Sequence, residues 1–215
     1  TVITPAISSE TTQFMVVSGP AFLDTSDMND PFTNSHMTVS GWPRIIFAEA
    51  LNTDVSRTTV SVIVADRYSN PVPEGTAVYF SSTGGVIDTK TGFTDSKGIA
   101  TVTLYAGNPF PTVTNSSQIE NPNASLGGPA KFTVPLLDYD GDGQKNNGIA
   151  TITAYTQGID QQGRQVTVWN HIPIVFTKWI TTFTVEPAKT SLLNGQATDI
   201  TITVHDVNKN PVVPG

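Results

Sequence analysis

Hydrophobic and polar residues alternate along much of this chain. Val60, Val62 and Val64 share one face of the stretch 60–75, VSVIVADRYSNPVPEG. Ile200, Ile202 and Val204 share one face of the stretch 200–215, ITITVHDVNKNPVVPG. A period of two predicts a strand with one face on a core. The two stretches are copies: Asp66 aligns with Asp206, Asn70 with Asn210, Pro71 with Pro211, Val72 with Val212 and Gly75 with Gly215, 140 residues apart. In each copy Asp ends the strand and Asn-Pro opens a tight reversal. A repeat of domain size predicts a piece of a tandem array of β domains, with the second copy cut off just after its turn.

The same alternation predicts strands over 44–50, 58–65, 76–82, 86–88, 99–105, 148–155 and 165–176. GIATITAY at 148–155 nearly copies GIATVTLY at 98–105. Residues 131–137 are expected to rejoin the sheet or lie along its edge. Short strands at roughly ten-residue spacing, separated by turn residues, predict an all-β antiparallel sandwich. No segment sustains a helical period. The domain reading is an N-terminal extension or end of a preceding domain over 1–41, holding candidate strands at 13–18 and 36–40. A sandwich follows over 42–178 with a long polar insertion at 107–147, then the first two strands of an incomplete unit over 179–215.

Composition narrows the function classes. The 215 residues are 38% hydrophobic, enough for a core, but only 13% charged, about half the usual share. A net charge of -7 argues against nucleic acid and against an anionic membrane surface. No apolar run reaches the roughly 18 residues that span a bilayer. The chain has no cysteine, which removes disulfide, thiolate-metal and thiol chemistry. It begins at Thr1 without Met or signal sequence, so a mature or excised segment is expected. An acidic, Cys-free, Thr-rich β chain fits a secreted bacterial surface protein, and composition alone leaves a cytosolic origin open.

The order of motifs resembles the bacterial Ig-like domains (group 1) of the invasin/intimin type. The residues that carry the resemblance are Asp66, Asn70, Pro71, Val72, Pro73, Gly75, Gly84, Gly85, Thr94, Asp95, Gly98, Ala100 and Thr101. They cover 44–106 well and 148–177 loosely, and 181–215 as a second start. The insertion and the N-terminal region depart from the family pattern. The resemblance implies an Ig-like sandwich and a surface-exposed, non-catalytic tandem module used as a stalk or adhesin segment, with neighbouring Ig-like domains or like subunits as partners. It does not identify a ligand.

The strongest candidate chemistry is Asp138-Tyr-Asp140-Gly-Asp142-Gly-Gln144-Lys-Asn146, the first half of a calcium loop. Asp138, Asp140 and Asp142 would supply carboxylates, Gln144 its carbonyl, and Asn146 a side chain or a water. The twelfth position, normally a bidentate Glu, is Ile149, so a remote carboxylate such as Asp160, Glu120 or Asp88 would have to complete the shell. Three carboxylates this close repel unless a cation sits among them, and calcium is the expected cofactor. The alternative is a solvated acidic turn. In strand order the loop falls at the end facing the second unit, where an ion would stiffen the joint.

His36, His171 and His205 lack metal-ligand spacing, and no nucleophile elbow or phosphate loop occurs, so no enzyme is expected. Trp42, Trp169 and Trp179 could stack on a host or surface glycan, but rim or joint packing is the expected role. Asn115 and Asn123 begin glycosylation sequons. The leading reading is a non-catalytic structural or adhesive module, stiffened by calcium. The alternative is a filament subunit assembled by strand complementation, with Gln13, Phe14, Met15, Val16 and Val17 as donor and Ile200, Ile202 and Val204 on the accepting hairpin. A carbohydrate-binding module is a third reading.

Overall fold

Strands whose apolar residues fall on every second position can bury one face only by stacking on another sheet. The computed structural model describes residues 18–49, 54–134, 137–139 and 141–213, and they form such a stack. The strands in order are β1 (Ala21–Phe22), β2 (Met37–Trp42), β3 (Ile45–Phe47), β4 (Arg57–Val64), β5 (Ala77–Ser82), β6 (Val86–Ile87), β7 (Thr91–Phe93) and β8 (Ile99–Tyr105). After them come α1 (Val113–Ser116), β9 (Gln118–Glu120), β10 (Lys131–Thr133), β11 (Ile149–Ile159), β12 (Gln165–Thr177), β13 (Ile180–Pro187) and β14 (Ile200–Asp206).

One layer is the antiparallel sheet β2-β4-β8-β6, and the other runs β3-β12-β11-β5-β7. This is the strand arrangement of an immunoglobulin-type sandwich. β3 joins β12 in parallel, and the short β1 pairs in parallel with the far end of β11. Val60, Val62, Val64 and Leu104 from one layer meet Val78, Ile152, Ile174 and Phe176 from the other, all of them fully buried. Each such side chain contributes about 1.5–3 kcal/mol on leaving water.

Three expectations need revising. Residues 37–42 do not end a preceding domain. Their alternating burial matches that of β4, and β2 pairs with β4 from Met37↔Val64 to Trp42↔Thr59. Lys131–Thr133 does not rejoin the main sheet. It pairs with β9 in a separate two-stranded sheet, whose Ile119 and Phe132 close over Trp169 on the outer face of β12. The insertion therefore carries a small core of its own. The third revision is an added strand, β7, in a stretch between the expected strands at 86–88 and 99–105.

Among the described residues, β13 and β14 pair only with each other. Their register aligns Phe183 with Val204, Val185 with Ile202 and Pro187 with Ile200, so these six residues share one face. The candidate donor residues Gln13, Phe14, Met15, Val16 and Val17 lie outside the described residues. No helix among those described is long and apolar enough to cross a membrane.

Candidate functional site

The repeated Asp builds the joint between the two units. Asp66 Oδ1 accepts from the N–H groups of Tyr68 at 2.8 Å and Asn70 at 2.9 Å. Asp206 Oδ1 does the same with Asn208 at 2.8 Å and Asn210 at 2.9 Å. The second oxygen reaches backward along the chain. Asp66 Oδ2 accepts from Gly19 N–H at 3.0 Å, and Asp206 Oδ2 from Lys178 N–H at 2.8 Å. Each carboxylate thus ties its own reversal to the segment leading into its unit. Ser69 and Lys209, equivalent in the two copies, both hold φ at 64°, a left-handed conformation uncommon outside glycine. The local sequence imposes the same strained turn twice.

The device recurs beyond the repeat. Asp95 accepts from Lys97 and Ile99, and Asp160 from Gln162 and Arg164, with the same spacing. Four carboxylates therefore close tight turns instead of forming an open acidic surface. Burial alone would raise the Asp66 carboxyl; the N–H bonds from Gly19, Asn70 and Tyr68 outweigh it and hold the group below its ordinary value. Asp160 has the same balance, with Arg164 Nε at 2.7 Å adding to the backbone donors.

At the second copy the turn also grips the insertion. Asn146 Nδ2 donates to Asn208 O at 2.7 Å, and Asn210 Nδ2 donates to Asn147 O at 2.6 Å. Asp206 and Asn210 are completely buried there. Gly148 lies beneath them at φ 86°, and a Cβ on it would sit 2.7 Å from Asn210 Nδ2 and 2.8 Å from Phe176 O. At the first copy Asn70 remains partly exposed, and its amide turns back to Asp66 Oδ2 at 3.3 Å. On the joint's other side Trp179 meets Phe47 edge-on, with ring centroids 4.7 Å apart. Lys178 Nζ lies 4.4 Å from the centroid of the Phe110 ring.

The acidic loop lies beside this joint, as strand order leads one to expect. Asp138 accepts from Gly141 N–H and Gly143 N–H, both at 2.9 Å, and Asp142 from Gln144 N–H at 2.7 Å. Asn146 Oδ1 accepts from Tyr139 N–H at 3.2 Å, so its side chain bridges the loop and the second unit. Asp140 lies outside the described residues. Among those described, no three His, Cys, Asp or Glu side chains converge in a metal-binding group. The remote carboxylates are engaged elsewhere: Glu120 pairs with Lys131 at 2.7 Å, and Asp88 accepts from Thr103 N–H at 3.0 Å. Asp160 caps the end of β11 opposite the loop, roughly 30 Å away at the rise of an extended strand.

The other candidates are absorbed by packing. His36 Nδ1 is 2.7 Å from Asp66 O, and the His171 ring packs on Phe32, where burial lowers its pKa. Trp169 is fully buried, and Trp42 is exposed. Asn123 is buried, and its amide bonds both the O and the N–H of Thr167, at 2.7 Å and 2.9 Å. It satisfies a stretch of β12 edge that β3 does not reach, so this sequon is not a modification site in the folded protein. Sequence reasoning did not find Asp206, Asn208 and Asn210 as joint residues. The repeat contained the signal, but which strand faces which loop does not follow from it.

No family model matches this sequence, and no curated protein shows significant similarity to it.

Proposed function

We propose that this chain is a non-catalytic segment of a tandem-repeat extracellular protein of the bacterial surface, which spaces or presents an adhesive surface through stiffly joined sandwiches. The observation that carries the reading is the buried Asp206, which receives the linker N–H of Lys178 while Asn210 and Asn208 bond the insertion of the preceding unit. A flexible tether would need no buried carboxylate in its first turn. In this reading calcium binds the loop through Asp138, Asp140, Asp142 and the carbonyl of Gln144 and adds stiffness beside the joint. The test is solution scattering and residual dipolar couplings on the whole chain. The native protein is expected to hold one angle between the units, and Asp206→Ala with Asn210→Ala to release it. Identical couplings in native and double variant would reject the stiff joint. A calorimetric titration without calcium binding would remove the ion.

A second reading, assembly by strand complementation, is favoured by one observation. Phe183, Val185, Ile200 and Ile202 on the shared hairpin face are 63%, 51%, 58% and 58% exposed. Concentration-dependent polymer in light scattering, lost on deleting 1–17, would support it. A monomer at all concentrations would reject it.

A further inference from the structure

The outer face of the larger sheet carries a row of three aromatic rings. The register places Tyr79 opposite Tyr155, and Tyr155 opposite Trp169, on three adjacent strands. The next row toward the joint is Ser81, Thr153 and His171. The insertion sheet covers Trp169 and stops there, because Ile119 and Phe132 pack on the indole and nothing equivalent among the described residues reaches the tyrosines. Tyr155 and Tyr79 stay 37% and 40% exposed, stacked with centroids 5.5 Å apart.

The half-built roof leaves a hollow of about 330 Å³ between β9 and the sheet, bounded by Ser81, Gln118, Ile119, Thr153, Tyr155 and Trp169. A second hollow shares Ser81 and Tyr155 and continues past Tyr79, so Tyr155 stands between the two. Three properties define what fits. The side chains of Ser81, Gln118 and Thr153 make no hydrogen bond among the described residues, which leaves hydroxyl and amide groups free. The indole Nε1 of Trp169, wholly buried in the wall of the hollow, also has no acceptor, a deficit proteins rarely leave. The one charged side chain lining the first hollow, Glu120, is paired with Lys131.

In the first hollow the occupant therefore meets aromatic faces, neutral donors and acceptors, and no unpaired charge; Lys90 borders only the second. A peptide adding as a strand is unsuited, because β5 and β11 are each paired on both sides here. We propose that this groove binds a neutral oligosaccharide. One pyranose lies against Tyr155 with its C–H face, where the ring quadrupole and buried area favour it. Its hydroxyls bond Ser81, Thr153 and Gln118, and an oxygen of the sugar or of an ordered water accepts from the Trp169 indole. The proposal names a ligand class for the adhesive role, but it stands whether or not the joint is stiff.

The test is a ¹H–¹⁵N NMR titration of the whole chain with lactose, maltotriose, cellotriose, mannotriose and chitotriose, each to millimolar concentration. At least one sugar is expected to move the amides of 79–83 and 151–155 together with the Trp169 indole resonance. Tyr155→Ala should weaken that binding about tenfold or more and Gln118→Ala severalfold. Trp42→Ala, on an exposed ring of the other sheet, should leave it unchanged. The proposal is overturned if no sugar moves these signals, if Tyr155→Ala binds as the native chain does, or if sialylated and sulfated sugars bind better than neutral ones.

Discussion

Val60, Val62 and Val64 are wholly buried beneath the facing sheet, while Ile200 and Ile202 at the equivalent positions of the second copy are each 58% exposed. The turns that follow nevertheless share their backbone-to-carboxylate bonds, the left-handed residue at 69 and 209 and the backward-reaching carboxylate oxygen; the Asn side chain differs, returning to Asp66 in the first copy and reaching Asn147 in the second. The turn depends on residues within five positions and forms wherever that sequence occurs. Burial depends on a second sheet from distant sequence, and among the described residues only the first copy has one. A local pattern thus dictates a strand, its register-setting turn and its apolar face, and leaves the cover of that face to the rest of the molecule.

The sharpest way to break the comparison is to remove each carboxylate. Asp66→Ala orphans the N–H groups of Gly19, Tyr68 and Asn70 inside the larger unit and should cost about 3 kcal/mol in denaturant unfolding. Asp206→Ala should leave that transition within about 1 kcal/mol of native, and its loss should appear as faster hydrogen exchange at Lys178, Asn208 and Asn210. Equal effects on the main transition would mean that the two units unfold as one. Next in size, Val62→Ala should cost about 2 kcal/mol through the cavity it opens. Ile202→Ala should change stability by less than about 0.5 kcal/mol, unless the hairpin face is covered in an assembly, where the same substitution would weaken polymer.

Acid sharpens the comparison further. Asp66 and Asp160 ionise below the ordinary carboxyl value of about 3.9, held down by N–H donors and, for Asp160, by Arg164. A carboxyl whose folded pKa is depressed contributes its full stability above the unfolded pKa and loses it as pH falls through the folded one. The first unit should therefore hold its stability from neutrality to about pH 5 and lose it progressively below about pH 4. Asp66→Asn should start less stable and decline less on acidification. A native protein that gains stability on acidification would contradict the assignment.

Much of the frame is legible in sequence because it is local. β4, β8 and β14 follow directly from alternation, and the Asp…Asn-Pro copies mark where strands end. The insertion is not legible, since Gln118–Glu120 and Lys131–Thr133 are too short to announce themselves and are ordered by Trp169 beneath them. β2 is legible as the candidate strand at 36–40, but not its place in the larger sandwich, since its pairing with β4 and its run through Gly41 to Trp42 depend on the distant β4. Strand order puts the acidic loop beside the joint, but that the Asn146 amide bonds the neighbouring unit does not follow from the loop motif. The aromatic row could not be anticipated, because Tyr79, Tyr155 and Trp169 become neighbours only through the register of three strands.

The link between the units is two residues long, Lys178 and Trp179, with β12 on one side and β13 on the other. Tension applied along the chain would enter the larger sandwich through the last residues of β12. There β3 runs parallel to it, with Val175, Phe176 and Thr177 opposite Ile45, Ile46 and Phe47, flanked by backbone bonds from Val175 to Arg44 and from Ala48 to Thr177. Parallel strands drawn from opposite ends are loaded in shear, so their bonds share the load and fail together instead of peeling one at a time. The short attachment of β3 is thus the mechanical lock of the unit, and pulling would strip the β13–β14 hairpin well before it opened the core.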